Sequence, residues 1–416
     1  MTERIDTAME SVEDFAQRAR DWVTANLPLR GDDALSEHEL QAKLFDAGFA
    51  GIAMPRDYGG AGLTLGHQQA FYDVAALGHR VPTLFSVSIA ILGVTLLDAA
   101  DEVLKKRHLP HILRGDERWI QLLSEPSGGS DMAAALTKLV PDGDGWILSG
   151  AKMWSTAAMS ADWGMCLART DSSVPKHSGL TMVCVPLKDT AGVTIRSIRH
   201  ANGVPADFCQ EFFDDVRIPA DHVIGELNEG WKVAKILIAH ERLAAGGAAH
   251  GYGLTARSEG GGGARTADPA VLVKAAQQRW STAGLRQKIA DAYIERRVSK
   301  FANERIATGI RCGALEPGWG SVVKLHLGMN SPRESKTALA VHGSDGVVWD
   351  GDEPIAGNAG EDWVISRGPA LGGGSNEMQR NLLAERLLGL PREPALDTGI
   401  PFAEVLRNRS NNSHGK

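Results

Sequence analysis

The sequence predicts an α+β protein made of an N-terminal helical bundle, a middle antiparallel β domain and a C-terminal helical bundle. Apolar residues recur at helical spacing over roughly the first hundred residues, give way to short β-rich runs, and return to helical spacing afterwards. The length of 416 residues suits about two to three domains. We expect domains at residues 1–118, 119–228 and 229–395, followed by a polar, frayed tail at 396–416.

The N-terminal domain is predicted from apolar residues three and four positions apart. Leu40, Leu44 and Phe45 form one such set, and a second set runs from Phe71 towards Leu97. The intervening PRDYGGAGL predicts a turn between helices, because glycine permits backbone angles that other residues resist.

The middle domain is predicted from short β-rich runs separated by turn sequences such as DGDG. The runs begin at Trp119, Trp146, Trp163, Leu180 and Val193. Such spacing is typical of a compact antiparallel barrel or sandwich. No crossover helix follows each run, so a Rossmann-type nucleotide site is not expected.

Helical periodicity resumes in the C-terminal domain, through WKVAKILIAHER from Trp231, then Ser321 to His342 and Asn376 to Leu388. The stretch from Ser258 to Pro269 is so rich in glycine that we expect an exposed flexible loop there.

Charge and cysteine usage exclude several classes of protein. Lys and Arg total 44 against 51 for Asp and Glu, a net charge of −7, so neither nucleic acid nor an anionic membrane is an expected partner. The four cysteines form no C-x-x-C pair and the 13 histidines show no metal spacing, which predicts no metal site and a reducing cytoplasm. No stretch of 18 apolar residues predicts a membrane span.

Several segments resemble one enzyme family in the same order and at compatible spacing. They are YGGAG from Tyr58, LPHILRGDERWIQLLSEPSGGSD from Leu109, SGAKMWSTA from Ser149, FCQEFFDDVRIP from Phe208 with GELNEGW from Gly225, and GGGSNEMQRNLLAERLLGLP from Gly372. As a set they resemble the acyl-CoA dehydrogenases over residues 10 to 393. The resemblance implies FAD between the β domain and the C-terminal helices, facing a fatty or steroid-side-chain acyl-CoA. It further implies an oligomer that passes electrons to an electron-transferring flavoprotein.

The resemblance also implies site residues. The flavin contacts are Gln121, Leu123, Ser124, Gly129, Trp154 and Thr156; the cofactor-phosphate contacts are Gly343, Ser344, Ser375 and Glu377; and the substrate contacts are Ser130, Arg242 and Gly373. From the residues alone, an ordinary core aromatic is the favoured interpretation of Trp154 and a turn residue that of Ser130, and Ser375 is a credible helix N-cap.

Dehydrogenation between the α and β carbons needs a base for the α proton while the β hydrogen leaves as hydride. Much of the family places that Glu where this chain has Gly373. Another branch, typified by isovaleryl and long-chain enzymes, uses a Glu-Arg pair, which matches Glu241 and Arg242 here. Glu241 is therefore the base that the resemblance implies, and its largely apolar helix would raise its pKa as a base requires. The alternative is a surface Glu paired with Lys235 or Arg242.

A second departure from the family pattern is the missing R-x-x-F-G motif after Gly253, whose Arg reaches the FAD of a neighbouring subunit. Arg257 or Arg265 is a possible substitute. The segment EPGWGSVVK from Glu316 resembles a bacterial branch that also lacks the motif and includes mixed tetramers in which only some subunits bind FAD. A homo-oligomer and a mixed tetramer both stay open.

Three rival functions follow from the same resemblance. A flavin monooxygenase or nitroalkane-oxidising relative would share the fold, although a monooxygenase needs no α-proton base. A non-catalytic or half-site subunit would suit Gly373 but not Glu241, Ser124 and Thr156. A DNA-associated relative would require a basic patch that the charge balance does not supply.

Overall fold

The computed structural model describes residues 9–75, 77–199, 201, 205–245, 267–277, 284–350, 353–354, 359–395 and 397–405. The loop predicted from Ser258, together with Arg257 and Arg265, lies largely outside these residues, as does the end of the chain from position 406.

The N-terminal region is helical, as predicted. Its helices are α1 (Val12–Asn26), α2 (Glu37–Asp46), α3 (Leu65–Ala75), α4 (Val94–Ala99) and α5 (Glu102–Arg114). A capping box opens α2, where Ser36 accepts from the Glu39 backbone and Glu39 accepts from the Ser36 backbone. The rings of Phe15, Phe49 and Phe71 pack together in the core of this region.

Two irregular turns shape this helical region. Within PRDYGGAGL, Arg56–Tyr58 form a 3₁₀ turn, and a methyl group added at Gly60 would collide with the Met54 backbone. A π-helical turn, Ser88–Gly93, runs directly into α4 and is wholly buried. Both the π turn and α4 pack against the first helix of the C-terminal region, so they line one side of the site described below.

The middle region is an eight-stranded sheet with the order β6-β7-β3-β2-β4-β5-β8, with β1 paired to β4. The strands are β1 (Trp119–Leu122), β2 (Lys138–Asp142), β3 (Gly145–Thr156), β4 (Trp163–Arg169), β5 (Leu180–Pro186), β6 (Val193–Arg199), β7 (Pro205–Pro219) and β8 (Val223–Ile224). Most neighbours are antiparallel, as predicted, but β1 and β4 are parallel.

The longest ladder, between β3 and β7, carries a bulge between Met153 and Ser155. Trp154 sits in this bulge with a φ of 69°, a left-handed conformation that is uncommon for any residue but glycine. The bulge breaks the alternation of the strand, and the Trp154 ring lies edge to face with the ring of Phe208 on β7, with 6.2 Å between centroids.

The C-terminal region is again helical, with a small hairpin of β9 (Trp349–Asp350) and β10 (Glu353–Pro354). Its helices are α6 (Gly230–Ala245), α7 (Pro269–Ala276), α8 (Leu285–Arg311), α9 (Gly320–His342), α10 (Ala359–Ile365), α11 (Gly368–Leu371) and α12 (Asn376–Leu382), which continues as a π turn at Leu383–Leu387. The long helix α9 lies at the centre, and the other helices pack against it.

The chain end departs from the predicted frayed tail. Residues 397–405 return to the β domain, where the Phe402 amide donates to the Val174 carbonyl at 2.9 Å and the ring is 1% exposed. The Arg169 guanidinium stacks on that ring at 4.1 Å. Phe402 and Val405 are buried and anchor this otherwise polar stretch. The prediction of a frayed tail rested on average composition, in which two apolar side chains carry little weight.

No helix among the described residues combines the length and the apolar character that crossing a membrane requires.

Candidate active site

The predicted base, Glu241, lies in the last turns of α6, the helix that packs against the buried π turn and α4. Its Oε2 accepts one hydrogen bond, from Gln121 Nε2 at 3.3 Å. Burial raises the pKa of this carboxyl above its ordinary value, although the Gln121 hydrogen bond and the charges of Arg242 and Lys324 oppose the rise. The raised pKa makes this carboxylate a stronger base than an exposed Glu.

Gly373 lies directly against this carboxylate. It has a φ of +67°, and a methyl group added there would lie 3.4 Å from Glu241 Oε1 and 3.1 Å from Lys324 Cε. The Glu241 carboxylate therefore occupies the space next to residue 373, where many acyl-CoA dehydrogenases carry their own Glu. Glycine suits the position on both grounds, backbone angle and space.

Hydrogen bonds from two helices hold the loop that carries Gly373. Lys324 Nζ, on α9, donates to the Pro369 carbonyl at 2.5 Å and to the Gly374 carbonyl at 3.4 Å. From α12, Gln379 Nε2 donates to the carbonyls of Gly373 and Gly374 at 3.2 and 3.3 Å. The loop is thus fixed in front of Glu241 by side chains that the sequence analysis did not single out.

A second group of predicted residues forms a platform, defined here as the loop Leu123–Ser130 and the end of β3. The Met153 amide donates to the Ser124 carbonyl at 2.9 Å, which joins the two segments. Beneath them the wholly buried Lys152 Nζ donates to Glu125 Oε1 at 2.8 Å and to the Leu123 carbonyl at 3.2 Å. This platform adjoins Glu241 through Gln121, which precedes it on β1.

Glu125 is fully engaged in this support. Besides Lys152 it accepts from the amides of Leu136 at 2.7 Å and Thr137 at 3.0 Å. Burial by itself would raise the pKa of Glu125, but the Lys152 charge and these hydrogen bonds outweigh burial and hold the pKa below its usual range.

The upper surface of the platform is open. Trp154 is 54% exposed, and Gly129, Ser130 and Thr156 are exposed as well. A methyl group added at Gly129 would meet only Ser124 Oγ, at 3.7 Å. Trp154 is therefore not a core aromatic, the alternative that the sequence left open for it.

The platform residues fit FAD. A flat ring with carbonyl and nitrogen acceptors can pack against the exposed Trp154 indole and accept hydrogen bonds from the exposed glycine backbone and from the small hydroxyl side chains. Gln121 Oε1 is also buried and has no hydrogen-bond partner among the described residues, so the site holds an acceptor that a ligand donor would satisfy.

Glu211 on β7 lies behind the platform and was not predicted. Ser155 Oγ donates to its Oε1, while its Oε2 is buried and has no partner within the described part of the chain. Burial raises the pKa of Glu211 to about 7, a shift that the Ser155 hydrogen bond and the Lys152 charge only partly oppose.

The predicted phosphate contacts divide into two places. Ser375 caps α12 by accepting from the Met378 amide at 3.3 Å, and the exposed Glu377 pairs with Arg380 at 3.5 Å. Gly343 and Ser344 follow the far end of α9, about 28 Å along the helix axis from Lys324. Within one chain, the segment with Gly343 and Ser344 and the segment with Ser375 and Glu377 are therefore too far apart to bind the same phosphate groups.

Arg242 is partly buried beside Glu241, and its Nε has no partner among the described residues. Within the same residues, no group of three His, Cys, Asp or Glu side chains is arranged to hold a metal ion. The four cysteines are free thiols, with Cys166, Cys184 and Cys209 buried and Cys312 exposed.

The three regions match three family descriptions in order. Residues 7–116 match the acyl-CoA dehydrogenase N-terminal domain, residues 121–216 the middle domain and residues 228–388 the C-terminal domain. Acyl-CoA dehydrogenase IpdE1 of Mycobacterium tuberculosis strain H37Rv is 32% identical over 403 residues, which cover 92% of this chain and 99% of the relative. Acyl-CoA dehydrogenase FadE34 of the same strain is 33% identical over 364 residues, covering 86% of this chain and 47% of the relative.

Solved structures agree. The Tcur3481-Tcur3483 steroid ACAD superimposes with a TM-score of 0.71 at 25% identity, over 94% of this chain and 100% of that chain. The ChsE4-ChsE5 complex from Mycobacterium tuberculosis, at 22% identity and a TM-score of 0.69, shares the fold over 94% of this chain and 100% of that chain. This chain belongs to the acyl-CoA dehydrogenases, FAD-dependent flavoproteins that dehydrogenate acyl-CoA thioesters.

Proposed function

We propose that Glu241 removes the α proton of an acyl-CoA bound between the platform and the Gly373 loop, giving the trans-2-enoyl-CoA. The observation that carries this proposal is the Glu241 carboxylate itself, partly buried, weakly hydrogen-bonded and facing Gly373 where many relatives place their own base. FAD, when bound, supplies the acceptor for the β hydride.

The chain's own residues divide the remaining work. Gln121 orients the Glu241 carboxylate through its 3.3 Å hydrogen bond. Trp154 and Thr156 would pack beside and hydrogen-bond to the flavin, and the Ser124–Ser130 loop would present donors to it and to the thioester. The Gly373 amide, on a loop held from α9 and α12, would donate to the thioester oxygen and stabilise the negative charge that develops there.

We infer a bulky, steroid-derived acyl group in preference to a straight fatty chain. The support is the likeness, at 25% identity, to a structure named as a steroid ACAD. The role would lie in side-chain β-oxidation, with an electron-transferring flavoprotein as acceptor and the cytoplasm as location.

A half-site subunit is the second candidate. Two similar structures carry two protein names each, Tcur3481-Tcur3483 and ChsE4-ChsE5, which favours a mixed oligomer. Against a non-catalytic role, this one chain carries the base, the Gly373 loop and the platform together. We therefore assign catalysis to it, whichever oligomer it forms.

The decisive test is anaerobic reduction of the purified, FAD-loaded protein by a panel of straight-chain and steroid-side-chain acyl-CoA thioesters, followed by visible absorption. We expect bleaching with the steroid-derived thioesters. The Glu241→Gln protein should retain FAD, but the acyl-CoA should reduce that FAD about a thousandfold more slowly. This factor lies within the rate enhancement that a general base usually supplies. The exposed Glu226, just ahead of α6, provides the control Glu226→Gln.

Three other results would contradict parts of this proposal. A Glu241→Gln protein with the wild-type reduction rate would exclude Glu241 as the base. A chain that binds no FAD when purified alone would support the half-site subunit. Bleaching by straight-chain thioesters only would exclude the steroid assignment.

A further inference from the structure

Lys324, the last residue of the EPGWGSVVK segment, is a charged side chain close to the Glu241 carboxylate, and its charge has no role in the mechanism proposed above. It lies on α9, partly buried, and reaches the loop between α11 and α12. Its Nζ donates to the Pro369 carbonyl at 2.5 Å and to the Gly374 carbonyl at 3.4 Å, on either side of Gly373. One ammonium group thus joins both ends of the segment that faces Glu241.

Gly373 places this lysine close to the base. A methyl group on Gly373 would touch both Lys324 Cε, at 3.1 Å, and Glu241 Oε1, at 3.4 Å. The two atoms are therefore no farther apart than the sum of these distances. At this separation the Lys324 charge lowers the pKa of the Glu241 carboxyl, although by less than the Gln121 hydrogen bond and the Arg242 charge do.

Three side chains act on the Glu241 carboxylate from three different elements. Gln121, on β1, is a neutral donor; Arg242, on α6, is a cation on the same helix as the base; and Lys324, on α9, is a cation from across the site. Lys324 combines this charge with hydrogen bonds to the loop that faces the base. Among the hydrogen bonds described here, Arg242 makes none to that loop.

We propose that Lys324 is a positioning residue, which fixes the Gly373 loop against Glu241 and keeps Glu241 ionised for proton abstraction. This inference rests on the proposed role of Glu241 as base. In the reaction, the α carbon–hydrogen bond breaks and its proton forms an O–H bond on Glu241, so the negative charge leaves the carboxylate and develops on the substrate. A fixed ammonium beside the Gly373 loop stabilises the charge before and after this transfer.

The test compares Lys324→Met, which has a similar length but no charge, with Lys324→Arg, which keeps the charge. Each FAD-loaded variant is reduced anaerobically by its best acyl-CoA over a range of pH. Loss of the cation should move the acid limb of the reduction rate to higher pH by about one unit, because the remaining environment favours the protonated carboxyl. The Arg variant should keep the acid limb near its wild-type position.

Two further variants control for folding. Lys324→Gln lacks the charge but retains a donor for the Pro369 carbonyl. If the Lys324→Met protein loses its FAD, the Lys324→Gln protein is measured in its place. Lys336→Met removes an exposed lysine elsewhere on α9 and should leave both the rate and its pH profile unchanged.

The outcomes separate this inference from the proposed function. If the neutral variants are slower by the same factor at every pH, with the acid limb unmoved, Lys324 has only a structural role and the inference is wrong. If instead Glu241→Gln reduces its flavin at the wild-type rate, the base assignment fails and the inference fails with it. An inactive Glu241→Gln protein together with a shifted acid limb supports both.

Discussion

Two carboxylates, the buried Glu125 of the platform and the partly buried Glu241 that we propose as the base, have pKa values shifted in opposite directions by their surroundings. Glu125 has an ammonium at 2.8 Å and two backbone amides at 2.7 and 3.0 Å, and its pKa lies below the usual range. Glu241 has one amide donor at 3.3 Å and more distant charges, and its pKa is raised. Burial acts on both in the same direction, so the donors make the difference.

The number of hydrogen-bond donors around each carboxylate decides which of the two can accept a proton. A carboxylate with all its donors in place stays an anion and serves as a support, because protonating it would weaken its charge-assisted hydrogen bonds and remove its ion pair. A carboxylate with few donors changes its protonation state at little cost, as a base must. The supporting carboxylate, Glu125, and the proposed base, Glu241, thus lie in neighbouring parts of one site, and Gln121 on β1 connects the two.

The largest effect should come from breaking the support. In Lys152→Met, Glu125 becomes a buried carboxylate without its cation, and we expect a loss of about 3–5 kcal/mol in stability, together with weaker FAD binding. Thermal unfolding of the FAD-loaded protein measures the first and flavin titration the second. The exposed Lys138 on β2 provides the matched control, Lys138→Met, which should change stability by no more than about 0.5 kcal/mol. Equal stabilities for the two variants would show that the pair is not a support.

A smaller effect should come from Glu211, the buried carboxyl that lies between the two extremes. Its pKa is about 7 when folded and about 4.3 when unfolded. Below the unfolded pKa the group is protonated in both states and costs nothing, whereas at higher pH ionisation in the unfolded state increasingly penalises folding, up to pH 7.

The variant Glu211→Gln cannot ionise, so its stability relative to the wild type should rise by about 2–3 kcal/mol between pH 4.5 and pH 7 and then level off. Urea unfolding at several pH values measures this difference. A difference that does not vary with pH would mean that Glu211 is ionised in the folded protein.

The smallest effect should come from moving the reactive carboxylate slightly. Gly373→Ala adds a methyl group 3.4 Å from Glu241 Oε1 at a left-handed backbone position, so we expect about tenfold slower flavin reduction, or about 1.4 kcal/mol, with FAD retained. The neighbouring Gly372 has an ordinary φ of −68°, which makes Gly372→Ala the control. Equal rates for the two alanine variants would show that the carboxylate is free to move aside.

Much of the fold followed from local pattern. The periodicity predicted helix 321–342, and α9 spans 320–342. The parallel pairing of β1 with β4 was not predictable, because alternation identifies strands but not their partners. The docking of Phe402 depends on a single buried ring in a polar stretch, which composition does not reveal.

The site was predictable only through resemblance. Glu241 and Gly373 were chosen because family motifs align there, and the structure brings them together. Glu125 and Lys152 stand within quoted motifs, yet their pairing depends on how the loop after β1 folds back under β3. Lys324 was missed because its role arises where α9 crosses the Gly373 loop, a contact between segments far apart in sequence.

The returning chain end has a consequence for the order of assembly during synthesis. Lys176 Nζ bonds Asp397 at 2.7 Å and Asp131, at the edge of the platform loop, at 3.1 Å. Because translation proceeds from the N-terminus, domains that emerge early begin to fold before the rest of the chain exists. Asp397 and Phe402 follow the β domain by more than 170 residues, so the β domain emerges early yet acquires this brace only after the C-terminal helical region has been synthesised.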